Sequence, residues 1–251
     1  MKREKSSVAI QVHPGGFDRA IFVTLMRLLR ERLRASVTRG SVTPLMHFIY
    51  SNFEKSAAQI PTGTVACRKG CSHCCNIWTD AYAPELIFLA KQIRRSHPEQ
   101  RNLIESVGRF SARQSFEVRE KLPISCPLLI DHQCSLYQYR PLNCRTSNSL
   151  DAAACEKAFI QCEDVEIPLQ AGWDVLAQTY SMALKGALVH AGLAYEPYEL
   201  YSSLRVCMAD PEVERKWLSG YNVFENAQKV SALRPFTHPF WRDLYERAFG
   251  A

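Results

Sequence analysis

Apolar residues recur at helical spacing over most of the chain and lose that period in its middle. Phe22, Met26, Leu29 and Leu33 mark one face of a helix running from an N-cap at Asp18 to about Ser36. Thr43-Pro44 opens a second helix, Leu45 to about Ala58, with Phe48, Ile49 and Phe53 as its apolar contacts. Proline suits that first position because its missing N–H would have no partner there anyway. Pro61 and Gly63 close this helix. A third starts near Pro84-Glu85 and breaks at His97-Pro98, and a polar amphipathic one follows from about Glu99 to Lys121. A short helix over 149–161 carries Cys155. Pro168 then leads a long helix with the stripe Leu169, Trp173, Leu176, Tyr180, Ala183, Ala187 and Ala191, ended by Gly192. Shorter helices are expected at 196–208, 210–219 and 239–249, the last capped by Thr237 and led by Pro239.

Between Leu122 and Cys144 the period is absent. Pro123, Pro127, Asp131-His132 and Pro141 predict a compact loop-rich segment with one short strand or hairpin. Such a segment buries little apolar surface by itself and needs a staple. The expected fold is mainly α, a helical domain around an irregular, loop-rich cysteine-cluster metal centre. Its parts are an N-terminal helical extension (1–58), a cysteine-cluster core (59–165) and a C-terminal helical part (166–251) packed on that core as one compact unit.

Composition narrows the class. The 251 residues are 47% hydrophobic and 22% charged, which supports a sizeable core and argues against disorder. The net charge of +6 is spread along the chain, as on a solvated surface, with Arg27, Arg30 and Arg34 on one face of the first helix. No apolar segment follows the basic residues of Met1–Gln11 to make a signal peptide, and His13-Pro14-Gly15-Gly16 reads as a turn. The run Ile21–Leu29 is interrupted by Arg27 and too short to span a bilayer, so no membrane partner is expected. These features point to the cytoplasm, where thiols stay reduced and clustered cysteines read as metal ligands rather than disulfides.

The candidate chemistry lies in the cysteines. Cys67, Cys71, Cys74 and Cys75 fall within nine residues, and Cys126, Cys134 and Cys144 follow in the proline-punctuated segment. Thiolate suits zinc and iron–sulfur clusters because both favour soft sulfur donors. The spacing Cys71-x-x-Cys74 lets two sulfurs reach one ion, and Gly70 tolerates the turn between them and Cys67. Adjacent side chains at Cys74 and Cys75 diverge, so the two serve one ion unequally. Either there are two sites among these seven candidates, or several thiols pack or carry redox chemistry. His73 and His132 stand between cysteines but read as surface or supporting residues. Cys155 has room to complete a site with the second set, while Cys207 reads as a small packed residue. Glu85 reads as a helix N-terminal acid rather than a ligand or base.

Cys67-x3-Cys71-x2-Cys74-Cys75, Cys126-Pro127-Leu128-Leu129, Cys134-Ser135-Leu136-Tyr137 and Arg140-Pro141-x2-Cys144-Arg145 resemble the YkgJ-type cysteine-cluster family. That family is described as zinc- or iron-chelating and includes the flagellin lysine N-methylases. The resemblance covers residues 67–145 and implies that these cysteines form the family's metal centre, with zinc and iron both open. Arg140 and Arg145 would donate hydrogen bonds to thiolates or carbonyls around it.

Three functions are consistent with these residues. The first is a metal-binding protein whose iron–sulfur or zinc centre is structural or redox-active. The second, implied by the resemblance, is a protein-lysine N-methyltransferase using S-adenosylmethionine. No G-x-G-x-x-G fingerprint accompanies it, and the Cys67/Cys71/Cys74 spacing of radical enzymes lacks the strand–helix alternation of a barrel. The third is a zinc-stapled module that presents its arginine face and Phe236, Phe240, Trp241 and Tyr245 to a protein partner. Nothing beyond mild basicity points to nucleic acid. The sequence leaves the oligomeric state open.

Overall fold

The computed structural model describes residues 17–61, 63, 65–146, 148–225, 227 and 238–250; the expected turn at 13–16, Phe236 and Thr237 lie outside them. The fold is mainly α. Helix α1 (Arg19–Arg39) begins where Asp18 Oδ1 accepts the Ile21 N–H at 3.0 Å and ends at Gly40 in the left-handed region. Its apolar stripe packs on α8 (Ala171–His190) and α11 (Pro239–Phe249), while α2 (Thr43–Ala57) lies against both α1 and α8. The arginine face is partly spent inside the molecule. Arg27 Nε donates to the Ala248 carbonyl at 3.0 Å and its Nη2 to that of Arg247, and Arg30 lies over the Phe249 ring. Arg27 thus meets the orphan carbonyl end of α11. At the other end of α11, His238 Nδ1 accepts from the Phe240 N–H, and Phe240 and Trp241 pack with Phe17.

Helix α3 (Ala83–Ser96) is buried on every face from Ala83 to Ala90 and runs through the core. Glu85 closes its N-terminus by accepting the Tyr82 N–H at 3.0 Å. The single helix expected over 99–121 is instead two, α4 (Arg101–Ser111) and α5 (Phe116–Lys121). Ser115 caps the second, and the buried Arg119 folds it back, with Nε to Ser111 Oγ at 3.1 Å and Nη1 to the Leu122 carbonyl at 3.0 Å.

The stripe of α8 begins at Trp173, because Leu169 is 43% exposed and pairs with Ser149 in an isolated bridge. Gln170 caps that helix by accepting the Trp173 N–H. The helix expected from 196 starts only at Leu200, since Tyr198–Glu199 (β4) pairs antiparallel with Asp80–Ala81 (β1). Helices α9 (Leu200–Ala209) and α10 (Val213–Leu218) follow.

Helix α4 packs closely on α9 at Gly108. A Cβ there would stand 2.5 Å from the Tyr201 carbonyl oxygen and 2.8 Å from Arg205 Cβ. Gly108→Ala is therefore expected to destabilise the protein by about 1–3 kcal/mol, despite the better helix propensity of alanine. A denaturant midpoint equal to or above wild type would show that the two helices part freely.

Candidate metal centre

All seven candidate thiols line one cavity of about 790 Å³. Two loops bring them there. In the first, Gly70 turns the chain at φ 88°, with the Cys71 N–H bonded to the Arg68 carbonyl at 3.0 Å. A 3-10 turn over His73–Asn76 then presents Cys74 and Cys75. The second segment is laced to this turn. The N–H groups of Cys126 and Ile124 donate to the carbonyls of Cys75 and Asn76, at 2.8 and 2.9 Å, and Ser125 Oγ donates to Asn76 Oδ1 at 2.6 Å.

Beyond Cys126 lies the expected hairpin, β2 (Leu129–Ile130) with β3 (Gln133–Cys134), in the register Leu129↔Cys134. Its two turn residues, Asp131 and His132, both take positive φ, 48° and 59°. That is the twist a two-residue hairpin requires. Cys144 sits in a single helical turn, α6 (Asn143–Thr146).

Arg145 holds the α6 turn in place. It is buried, donating from Nε to the Arg140 carbonyl at 2.8 Å, from Nη2 to that of Gln138 at 2.7 Å and from Nη1 to Glu54, with its guanidinium over the Tyr50 ring. It thus binds carbonyls, one of the two kinds of partner expected for it. Arg140 stacks on the exposed Tyr137 ring at 3.6 Å and lines the cavity, where its charge acts on Cys74, Cys134 and Cys144.

The far wall comes from a distant part of the chain. The β1–β4 ladder and the Leu200 N–H bond to the Thr79 carbonyl carry Leu200 and Tyr201 to the cysteines, and Trp173 of α8 joins them. Tyr201 stands beside Cys126 on that wall, where burial raises the thiol and Tyr201 lowers it by less. Neither aromatic is a candidate site residue by sequence: Trp173 belongs to the apolar stripe of α8, and Tyr201 owes its place to the two-residue ladder.

Electrostatics follow from burial and pairing. Interaction with the neighbouring Cys75 thiol lowers the Cys74 sulfur, and the same interaction, with burial, raises Cys75. Burial raises Cys126 to about 12 and lifts Cys67, Cys134 and Cys144 too. Arg68, Lys69 and Arg140 stand on the cavity wall, and no carboxylate does among the described residues. His132 is at the wall, whereas His73 is not. None of the ten cysteines is in a disulfide. No three histidine, cysteine, aspartate or glutamate side chains among the described residues converge as a ready-made ion site, so the thiols surround a space rather than a point. The all-sulfur donor set and its cationic wall nonetheless fit the chemistry of a thiolate centre.

Glu85 lies just behind the centre and links it to α3. Its Oε1 accepts the Leu142 N–H at 2.7 Å, two residues before Cys144, and it is buried. Burial pushes its carboxyl up from 4.5 to about 7. A raised pKa means that the folded chain holds a proton the unfolded chain has lost. Stability from this group is therefore full below pH 4.5, falls by up to about 3 kcal/mol as pH rises towards 7, and is flat above. Asp80, raised to about 6 by burial, acts in the same direction. Denaturant unfolding of the metal-free chain across this range should show the slope reduced in Glu85→Gln; equal slopes in the two proteins would contradict it.

No family model matches the chain, and comparison with curated proteins and with solved structures finds no match for it.

Proposed function

We propose that this chain is a metal-binding protein whose centre, an iron–sulfur cluster or zinc, is held by thiolates from Cys67, Cys71, Cys74, Cys75, Cys126, Cys134 and Cys144. One observation carries the reading. Seven cysteines from two separate stretches line a single cavity whose wall carries three permanent cations and no carboxylate among the described residues. Neutral thiols need no such cations, whereas thiolates around a metal leave net negative charge to be balanced. Ligation requires the sulfurs to close inward, so loading would be coupled to ordering of the 122–144 segment. When bound, such a centre staples that segment or, as a cluster, carries electrons.

A second reading, methyl transfer from S-adenosylmethionine to a protein lysine, draws support from the size of the cavity. About 790 Å³ walled partly by Trp173, Leu200 and Tyr201 falls in the range of small-molecule sites and exceeds what ions need. The stapled-module reading loses part of the surface assigned to it, since Arg27 is turned onto α11 and Phe240 and Trp241 pack together with Phe17.

The test is iron, zinc and acid-labile sulfide content of protein purified without oxygen. Iron with sulfide, or zinc without it, supports a centre of the corresponding kind. Absence of both metals from fully reduced protein that also fails to take them up would overturn the proposal. Binding of S-adenosylmethionine by calorimetry decides the second reading.

A further inference from the structure

Arg140 is held in a fixed pose at the cavity wall. Its Nε donates to the Tyr137 carbonyl at 3.1 Å, and its guanidinium lies 3.6 Å from the centre of the Tyr137 ring. Both contacts come from the 3-10 turn Tyr137–Tyr139 that leads into Arg140. The other two nitrogens, Nη1 and Nη2, donate to nothing among the described residues, the seven cavity thiols included. A planar guanidinium fixed along one edge and covered on one face presents its free edge as a two-pronged donor. That shape matches a carboxylate.

The rest of the wall defines the rest of a ligand. Arg68 and Lys69 line the same cavity and are exposed, so they stand at its mouth. Leu89, Leu128, Leu136 and Leu200 face the same space from the core, each at 3% exposure or less. A volume of about 790 Å³ leaves room beside a metal centre for an organic molecule. Charge is left over as well. Four thiolates around one divalent ion carry two net negative charges, so such a centre leaves one of the three wall cations without a matching anion. No carboxylate on the wall among the described residues is there to meet a positive group.

We propose that the cavity binds a small organic anion, a carboxylate with an apolar, ring-bearing body. The carboxylate sits on the Nη1–Nη2 edge of Arg140, and the body lies against the leucines, with Trp173 and Tyr201 as the rings beside it. Arg68 and Lys69 draw the anion to the mouth. The proposal goes beyond the metal reading and needs only the cavity and the fixed fork. It also differs in charge from the second reading, because S-adenosylmethionine carries a sulfonium and an ammonium, whereas this ligand is an anion overall.

The test is a calorimetric titration of naphthoate into the reduced full chain, purified without oxygen and with its metal content measured alongside. Naphthoate is expected to bind at a single site. Naphthamide has the same shape without the charge, and acetate has the charge without the body; each should bind at least about tenfold more weakly. Arg140→Gln should weaken naphthoate by about tenfold or more and leave naphthamide unchanged, and Arg140→Lys should recover little because it lacks the fork. No binding of naphthoate, or equal affinity for naphthoate and naphthamide, overturns the proposal in wild type alone, whether or not the variants fold. Equal naphthoate affinity in wild type and Arg140→Gln also overturns it. Naphthoate bound by protein that holds no iron or zinc supports this site and removes the metal reading; metal without naphthoate binding does the reverse.

Discussion

Cys71→Ser and Cys134→Ser are each expected to shed metal and to loosen the chain from 122 to 148, with backbone hydrogen exchange there rising a hundredfold or more. The reason is a mismatch of magnitudes. Fixing a residue costs about 1–2 kcal/mol. The segment offers Leu128, Leu136 and Leu142 as buried aliphatics, each contributing about 1.5–3 kcal/mol. Its hairpin is two residues per strand, too short to stand alone. Ligation by thiolates in the proposed centre would supply free energy on the order of 10 kcal/mol, enough to close the gap. Helices α1, α2 and α8 share a continuous apolar core and should keep their protection. Mass-resolved hydrogen exchange of loaded, stripped and variant proteins checks this. Metal loss with unchanged exchange at 122–148 would mean that the centre is not the staple.

Arg145→Ala is expected to cost about 2–4 kcal/mol, because two carbonyls lose a charged donor and the packing on Tyr50 is lost. The Glu54 partner is not the source of this cost. Glu54 is 56% exposed, so the pair itself is worth under about 1 kcal/mol, and Glu54→Ala should be nearly neutral. What Arg145 removes from solvent need is the Arg140 and Gln138 carbonyls, which its planar fork reaches together while its face covers Tyr50. Lysine cannot reproduce that fork, so Arg145→Lys should recover little. The checks are urea midpoints of all three variants, and a Glu54→Ala loss as large as that of Arg145→Ala would refute the assignment.

Helical periodicity told much of the fold. The position of α1 followed from its apolar spacing and the Asp18 cap, and those of α2 and α3 from proline in the first turn and the residues that close them. The break between α4 and α5 was hidden because the flanking residues favour helix on both sides. What divides them is a serine cap and an arginine reaching backward, neither of which disturbs the average pattern. Leu169 misled for the opposite reason: it fits the stripe of α8 but lies before the helix cap. At the site, cysteine spacing alone identified the seven cavity thiols. The same spacing could not foresee Tyr201, whose place depends on a ladder between residues far apart in sequence, nor the side of the cluster to which α7 (Ala152–Phe159) would bring Cys155.

The wall of the cavity has a consequence for biosynthesis. Every candidate thiol up to Cys144 is made before Trp173, Leu200 and Tyr201. At roughly 5–20 residues per second, the first cysteine loop waits several seconds for the side that encloses it to be made. Delivery of metal during translation therefore meets an open cup. Delivery after release meets one already walled by the C-terminal helices, and a pulse of metal should load the growing chain faster than the finished one.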